Sequence, residues 1–307
     1  DGLIYSPDQQ MGEANLGEAS DVSSEKCGQK PNERHTLYHT PDSNGFPYRI
    51  PAIAVAPNGD IFAISDNRPC GMDIGYGEVD IKCRISTDNG YSWGDEFFVA
   101  NGQGGSTNAM TTGFGDAAIV ADRKKNRLLV MMVCGRTVCW NGRWTPEKSL
   151  TDDAVNRVAR LYATYDKAHK KWVWSQPEEV TNSIYNLFLD ENGNPTVSSL
   201  FIGSGKICQS RVVKKGRYYR LYCSMWTRDE GNRVIYSDDF GGSWQVLGKV
   251  ADRPAPYGDE PKIEELPDGT VVLSSRKGAG RYFNLFTFAD NTYTTGTWGA
   301  AVSSNDV

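Results

Sequence analysis

Short apolar runs separated by turn-forming residues predict antiparallel hairpins along the chain. In the clearest case the apolar run Ala52–Ala56 is followed by the turn sequence Pro57–Asp60 and by a second apolar run, Ile61–Ile64. Asn and Gly adopt the backbone angles that a tight turn needs, so the two runs can pair as neighbouring strands. The pattern recurs as Ala117–Val120 with Leu128–Val133, Ser210–Val213 with Tyr218–Cys223, and Lys262–Leu266 with Val271–Ser274.

Two octets that follow hairpins share the pattern S-x-D-x-G-x-x-W. They are Ser86–Trp93 and Ser237–Trp244. The Asp can cap backbone N–H groups, the Gly can take a positive φ, and the Trp can anchor the turn on its sheet, so we interpret the octet as a folding device. Repeated antiparallel units of roughly 50 to 90 residues predict the blades of a β-propeller. Asp152–Tyr162 is the stretch whose pattern favours a short helix.

Composition and charge narrow the possible partners. The chain has 307 residues, 32 of them glycine, and a formal net charge of −5 with basic and acidic residues interspersed. This pattern lacks the basic face that nucleic acid or an anionic membrane requires. No apolar run of about 18 residues predicts a membrane span. We interpret residues 1–40 as a polar lead-in segment and residues 41–307 as the propeller domain.

The cysteines and histidines predict no metal site. Three histidines are scattered along the chain, and the cysteines lack the paired CxxC spacing of a zinc site. We favour buried free thiols, although Cys134 and Cys139 could bridge across a hairpin, and the sequence leaves that alternative open. The seven cysteines are Cys27, Cys70, Cys83, Cys134, Cys139, Cys208 and Cys223.

Three motifs carry a resemblance to a known family. The tetrapeptide Tyr48-Arg49-Ile50-Pro51 resembles the aromatic-Arg-Ile-Pro motif of bacterial-type exo-sialidases (neuraminidases), and the two octets resemble that family's Asp-boxes. Downstream, Glu260 and an Arg sixteen residues later, Arg276, match the spacing of two of the family's catalytic-site residues. The resemblance runs from about residue 45 to 290. It implies an all-β, six-bladed β-propeller that hydrolyses terminal α-linked sialic acid with retention and without a cofactor.

Hairpin geometry predicts that the matching residues converge. The residue that enters a hairpin and the residue that leaves it lie at the same end, on strands about 5 Å apart. All such residues are therefore expected on one rim of the propeller, around its central channel. Arg49 enters and Arg68 leaves the first hairpin, Asp116 enters the second, and Glu260 enters and Arg276 leaves the fourth.

The resemblance implies how these residues bind the substrate. A guanidinium group binds a carboxylate bidentately and keeps its charge at any working pH. In the family three arginines bind the sialic acid carboxylate, and Arg49 and Arg276 match two of them. Arg68 and Asp116 would contact the sugar's hydroxyl groups. A structural Arg–Asp pair is the alternative for these last two residues.

The glycine-rich loop Cys70–Asp80 holds the candidates for the general acid. Asp73, Glu78 and Asp80 are all carboxylates on a stretch that we expect to be mobile. The distance in sequence from Arg49 matches the family's acid/base residue at Asp73, whereas Glu78 and Asp80 lie close to the next strand and are interpreted as structural. The family uses a Tyr nucleophile whose proton a Glu accepts, and Glu260 fits that Glu.

Two members of the family's catalytic site are not assigned. Its third arginine and its Tyr lie well beyond the Glu and the second Arg, and a six-bladed ring of such blades would need roughly 350 to 400 residues. We therefore hypothesise that a second polypeptide completes the propeller and supplies these two residues, either as a nicked C-terminal fragment or as a portion outside the printed sequence. Arg281 and Tyr282 are nearby, but we predict Tyr282 to be a core residue.

Three other functions compete with an exo-sialidase. They are a lectin-like, non-catalytic sialic-acid-binding propeller, a trans-sialidase, and a propeller hydrolase of another substrate class. A sialidase acts on secreted or cell-surface glycans, so a secreted, periplasmic or cell-surface location is expected from function.

Overall fold

Four antiparallel sheets follow one another along the chain. A computed structural model describes residues 36–147, 154–278 and 280–304. Each sheet contains one of the four predicted hairpins, and all four strand pairings are confirmed. Of the predicted lead-in segment, residues 1–35 lie outside the described residues. Within the part that is described, Tyr38 donates a hydrogen bond from its hydroxyl to the Ala63 carbonyl at 2.6 Å and so lies against the first sheet.

The sheets are named blades 1 to 4 in chain order. Blade 1 contains β1 (Tyr48–Val55), β2 (Ile61–Asn67), β3 (Asp80–Ser86) and β4 (Phe97–Ala100). Blade 2 contains β5 (Phe114–Ala121), β6 (Arg127–Cys134), β7 (Arg157–Asp166), β8 (Lys171–Trp174), β9 (Glu178–Glu179) and, parallel to β5, β11 (Gly205–Lys206).

The later half of the chain repeats this order. Blade 3 contains β10 (Leu200–Ile202), β12 (Cys208–Lys215), β13 (Tyr218–Thr227), β14 (Gly231–Ser237) and β15 (Gln245–Val246). Blade 4 contains β16 (Asp259–Glu265), β17 (Val271–Lys277), β18 (Gly280–Phe288), β19 (Gly296–Trp298) and β20 (Val302–Ser304). The described helices are the α-helix Thr181–Tyr185 and the 3₁₀ turns Thr40–Ser43, Met110–Thr112, Cys139–Asn141 and Asn186–Phe188.

The blades stand side by side as in a β-propeller. β1 contacts both β5 and β11, and β16 contacts both β11 and β12, so the first strands of the blades line the inside of the arrangement. The predicted all-β propeller is therefore supported. Four blades lie within the described residues, and the predicted number of six is not confirmed.

Apolar cores between successive blades hold the sheets together. β6 shows why the sequence carries an uninterrupted apolar run there. Leu129 and Met131 pack into the core shared with blade 3, whereas Leu128 and Val130 pack into the core shared with blade 1. Alternate residues of a strand point to opposite faces, so a strand that is buried on both sides needs apolar residues throughout.

The predicted helix at Asp152–Tyr162 is wrong where the structure describes it. From Arg157 onward this stretch belongs to β7, which pairs with β6 along its whole length from Cys134 to Arg127. Its helical pattern is a weak preference that pairing with a buried strand overrides. The α-helix that the structure does contain, Thr181–Tyr185, was not predicted; it packs Ile184 and Tyr185 into the core between blades 2 and 3.

Equivalent hydrogen bonds stabilise the turns of both octets. In the second one the Asp239 carboxylate accepts bonds from the Ser243 N–H at 2.8 Å, the Ser243 hydroxyl at 2.7 Å and the Ser237 hydroxyl at 2.7 Å. Asp88 accepts the corresponding bonds in the first octet. The structure thus assigns the octet Asp the capping role that its position predicts.

The structure also bears on three predictions, which concern the cysteines, Tyr282 and a membrane span. No disulfide joins two of the described cysteines, Cys134 and Cys139 included, whereas Cys27 lies outside the described residues. Tyr282 is only half-buried on β18, so its prediction as a core residue is wrong; its ring instead lies beside the Lys277 ammonium group, 4.5 Å from ring centroid to Nζ. None of the described helices is long and apolar enough to span a bilayer.

The capping role predicts a stability cost on substitution. Asp239→Ala removes three hydrogen bonds to a charged acceptor and should lower the free energy of unfolding by about 2 kcal/mol. Asp95→Ala is the matched control, because Asp95 is exposed beside the first octet; it should change stability by less than about 0.5 kcal/mol. Urea unfolding of both variants measures the difference, and equal stabilities would contradict the capping role.

Candidate functional site

One cavity brings the sequence-predicted site residues together. It has a volume of about 320 Å³ and lies at the end of the blades where the inner strands begin. Blades 1, 2 and 4 each contribute a charged residue from the start of the first strand, and blades 1 and 4 add one from the end of the second. The predicted residues that line the cavity are Arg49, Arg68, Asp73, Asp116, Glu260 and Arg276.

The same backbone irregularity occurs at the mouth of three blades. In β1, β5 and β16 two residues stand opposite one residue of the neighbouring strand, which is the arrangement of a β-bulge. The first residue of each bulge, Ile50, Asp116 or Glu260, has a positive φ of 54°, 53° or 32°. Such angles are unfavourable for non-glycine residues and cluster at functional sites. The bulges bend each strand at the point where it reaches the cavity.

A buried arginine organises the carboxylates of blades 1 and 2. The Arg68 side chain is 5% exposed, and its Nη2 lies 2.9 Å from Asp66, 3.2 Å from Asp73 and 3.8 Å from Asp116. Asp66 is fully buried and also accepts a hydrogen bond from the Asp116 N–H at 3.2 Å. The nearest partner of Arg68 is therefore Asp66, which the sequence analysis did not single out. This geometry favours the structural Arg–Asp pair for Arg68.

Three carboxylates around one cation cannot all be ionised at low cost. Burial raises the pKa of Asp66 well above its ordinary value, and the Asp116 charge adds to this, while Arg68 acts in the opposite direction. Burial and the nearby Asp73 charge likewise raise the pKa of Asp116 to about 7. Burial and like charge disfavour the ionised form of a carboxylic acid, so Asp66 and Asp116 retain protons that free carboxyls would lose.

Asp73 is the exposed member of the cluster. Its side chain is 48% exposed, and its Oδ1 also accepts a hydrogen bond from the Ile74 N–H at 2.8 Å. The loop that carries it is packed tightly at Gly75, where φ is +100° and an added Cβ would lie 2.4 Å from the Val138 backbone nitrogen. The other two candidates of the loop do not line the cavity, and the buried Asp80 instead accepts a hydrogen bond from the Gly102 N–H.

Glu260 and Arg276 form an ion pair across the mouth of blade 4. The Arg276 guanidinium lies 2.9 Å from Glu260 and 2.6 Å from Asp259, and all three side chains are about half exposed. Arg281 lies behind them and donates to the Glu260 backbone carbonyl at 3.3 Å. Asp259 was not predicted as a site residue, although it lies next to Glu260 in the sequence.

Arg49 differs from the other arginines of the cavity. It is exposed, and no carboxylate within the described ranges forms an ion pair with it. Its position is fixed through its backbone, because the Arg49 carbonyl accepts a hydrogen bond from the Ser65 hydroxyl at 2.8 Å. An exposed guanidinium that lines the same cavity as Arg276 leaves donors for an external anion.

Sequence comparison identifies relatives over most of the chain. A sialidase of Micromonospora viridifaciens is 33% identical over 238 residues, which cover 76% of this chain and 34% of that protein. A sialidase of Paraclostridium sordellii is 24% identical over 258 residues, which cover 81% of this chain and 58% of that protein. These matches support a place for the chain in the sialidase family. No protein-family model matches the sequence.

Solved sialidase structures share the fold. The Hadza microbial sialidase Hz136 superposes with a TM-score of 0.65 at 20% identity, covering 89% of this chain and 52% of that one. The intramolecular trans-sialidase from Ruminococcus gnavus gives a TM-score of 0.64 at 14% identity, covering 89% of this chain and 74% of that one. At these identities the likeness shows the propeller fold. This chain spans less than two thirds of the length of both curated sialidases.

Aromatic residues that lie outside the sialidase motifs also line the cavity. Phe201 of β10 and Trp226 of β13 are cross-strand neighbours whose rings stack with centroids 5.2 Å apart, and both line the cavity. Trp140 lines it as well and is 50% exposed. Trp226 lies beyond the predicted end of its strand, and β10 was not predicted, so the sequence held no signal for this pair.

A buried amide also faces the cavity. Asn156 is 1% exposed, and its Oδ1 has no hydrogen-bond partner among the described residues. A buried polar atom without a partner is costly unless a ligand or water satisfies it. Asn156 is therefore a candidate polar contact for a bound molecule.

The raised pKa of Asp116 predicts how stability depends on pH. Because the folded protein holds this proton up to about pH 7 while the unfolded chain releases it near pH 4, stability should fall as pH rises between these values. The side chain of Asp116→Asn cannot titrate, so from pH 5 to pH 7.5 the wild type should lose about 2–3 kcal/mol more than the variant. Chemical unfolding at both pH values measures this; parallel profiles would contradict the shift.

Proposed function

We propose that this chain forms most of the catalytic cavity of an exo-sialidase, which hydrolyses terminal α-linked sialic acid with retention of configuration. The observation that carries the proposal is that Arg49, exposed and without an ion pair among the described residues, lines one cavity together with Arg276 and the exposed carboxylate Asp73. An anion-binding pair and a general acid in one cavity meet the two main requirements of this reaction. Homology to sialidases over most of the chain supports the proposal.

Arg49 and Arg276 are proposed to bind the substrate carboxylate. Arg49 is free to form a bidentate pair at once, whereas Arg276 must share its guanidinium between the substrate, Asp259 and Glu260. Because the two acidic partners are about half exposed, water can replace the arginine's hydrogen bonds to them at small cost. Arg68 is too deeply buried to be the main substrate contact and is proposed to hold Asp73 and Asp116 in position.

Asp73 is proposed as the general acid and base. In the first step it donates a proton to the glycosidic oxygen as the bond from that oxygen to the anomeric carbon breaks and a phenol oxygen bonds to the anomeric carbon. Glu260 accepts the proton that this phenol loses. In the second step Asp73 takes a proton from water, whose oxygen bonds to the anomeric carbon as the bond to the phenol oxygen breaks. Glu260 returns its proton to the departing phenol oxygen, and sialic acid is released.

The phenol is proposed to come from a second polypeptide segment. No tyrosine is found among the described residues that line the cavity. The outer faces of the first and last blades also offer surface for such a segment. Ile53 on β1 and Leu285 on β18 are 46% and 45% exposed and point away from the cores that their strand neighbours Ala52 and Phe286 join. The same segment would supply the third arginine.

The competing functions share parts of this cavity. A lectin-like protein would need the arginines without Asp73, whereas transfer and intramolecular release use the same set of groups as hydrolysis. Intramolecular trans-sialidases occur among the structures with the same fold. Product analysis separates these reactions. We propose a secreted, periplasmic or cell-surface location because the substrates are displayed there.

Two substrates test the acid role of Asp73. Sialyllactose has a poor leaving group that needs protonation, whereas an aryl sialoside releases a stable phenolate. Asp73→Ala should therefore lower kcat/KM for sialyllactose by about 10²–10⁴-fold and have a clearly smaller effect on the aryl sialoside. Glu78→Gln, on the same loop but outside the cavity, is the matched control and should stay within about twofold of wild type. Equal losses on both substrates would exclude the acid role, and sialic acid binding without hydrolysis by the wild-type protein with its second segment present would establish the lectin.

The proposed second segment can be detected directly. Intact mass spectrometry of the active protein should detect, besides this chain, a segment that carries the nucleophile. A trapped fluorosialyl intermediate should label a tyrosine on that segment, because the phenol oxygen forms the covalent bond. Label on Tyr282, or activity of the 307-residue chain alone, would overturn the proposal of a second segment.

A further inference from the structure

Two adjoining depressions lie at the turn end of blades 1 and 2, opposite the cavity. The larger is a groove of about 740 Å³ between the first octet and β8, and it is lined by Trp93, Trp172 and Trp174. The smaller is a pocket of about 370 Å³ beside the β5–β6 turn. Tyr165 lines both, so they form one continuous surface, which we call the turn-face groove.

The aromatic floor of the turn-face groove is held in place from behind. The Trp172 Nε1–H donates a hydrogen bond to the buried Asp60 at 2.8 Å, and its ring packs edge-on against Phe62 with centroids 4.8 Å apart. Trp174 packs against Phe97 at 5.7 Å. Each of these tryptophans remains partly exposed in the groove. Rigid, partly exposed indole rings can bind an apolar ring face with little loss of conformational entropy.

Five lysines surround this floor, and the charge of one of them, Lys171, acts on the nearby Asp166 carboxylate. All five are exposed, and within the described part of the chain none forms an ion pair with a carboxylate. The acids of the same turns are already engaged: Asp122 binds Arg127, and Asp166 binds His169. Such a concentration of free positive charge is unexpected on a chain with a net charge of −5. The five are Lys124, Lys125, Lys167, Lys170 and Lys171.

We infer that the turn-face groove is a second, non-catalytic binding site for acidic polysaccharides. Sugar rings present an apolar C–H face that packs on exposed indoles, and carboxylate or sulfate groups on the same chain would pair with the lysines. The choice of a glycan over other polyanions rests on the proposed function, which brings this protein to glycan surfaces. A site at the opposite end from the cavity could hold the enzyme on such a surface while the cavity remains free.

Polysaccharides that lack sialic acid test the site independently of the cavity. We expect chondroitin sulfate and hyaluronate to bind the wild-type protein, and neutral dextran not to bind. Binding of both would show that carboxylates suffice, whereas binding of chondroitin sulfate alone would assign the site to sulfate groups. Titration calorimetry at low ionic strength gives the affinities, and hydrolysis of sialyllactose is followed in the same preparations.

Matched triple variants locate the binding. Replacing Lys167, Lys170 and Lys171 by Ala should weaken chondroitin sulfate binding about tenfold. Replacing Lys214, Arg217 and Lys249 by Ala changes net charge equally on blade 3 and should stay within about twofold. Tyr165→Ala should weaken binding severalfold with folding confirmed by thermal denaturation, and sialyllactose hydrolysis should be unchanged in all three variants.

Equal losses of binding in both triple variants, absence of binding by either acidic polysaccharide, or tighter binding of a single-stranded oligonucleotide would overturn the inference. If the wild-type protein binds the acidic polysaccharides but does not hydrolyse sialyllactose, only the proposed function is contradicted.

Discussion

The buried ion cluster around Arg68 is the constraint on which the cavity depends. A single guanidinium, 5% exposed, faces carboxylates from β2, from the following loop and from blade 2. It therefore links the position of Asp73 to the packing of blade 1 against blade 2. Removing the cation would leave the fully buried Asp66 carboxyl without the two hydrogen bonds that Arg68 donates to it, which is costly in a protein interior. Catalytic geometry and inter-blade stability are thus joined at one residue.

The β-bulges explain why charged residues can lie at the start of strands that are otherwise apolar. Each bulge places one residue out of register, so the inner strand can bury its later residues between blades and still present Asp116 or Glu260 to the cavity. The positive φ at these positions is a local cost that the long hairpins behind them offset. The two ends of the blades then serve different purposes. Acids and arginines line the cavity end, whereas aromatic residues and free lysines cover the turn end of blades 1 and 2.

Much of the fold could be predicted because it depends on local patterns. Alternation and turn residues predicted four hairpins, and the ends of those hairpins supply five of the six predicted members of the cavity's lining, whereas Asp73 lies on the loop after the first hairpin. The predictions fail where the structure depends on pairing between strands that are far apart in the sequence. β7 has a helical pattern but pairs with the buried β6, and Phe201 meets Trp226 only because β10 adds to β13. Asp66 could have been noticed, since it lies two residues before Arg68 on one face of the strand. The bulges left no signal in the pattern of apolar residues.

The central claim is that this cavity binds the carboxylate of a sialoside through Arg49 and Arg276. A crystal structure of the protein with the inhibitor DANA, which is bound in a Trypanosoma rangeli sialidase structure of the same fold, tests it most directly. We predict an inhibitor carboxylate within hydrogen-bonding distance of both guanidinium groups, with Asp73 on the opposite side of the sugar ring. An inhibitor carboxylate that contacts neither arginine, or a cavity that remains empty at saturating inhibitor, would contradict this account.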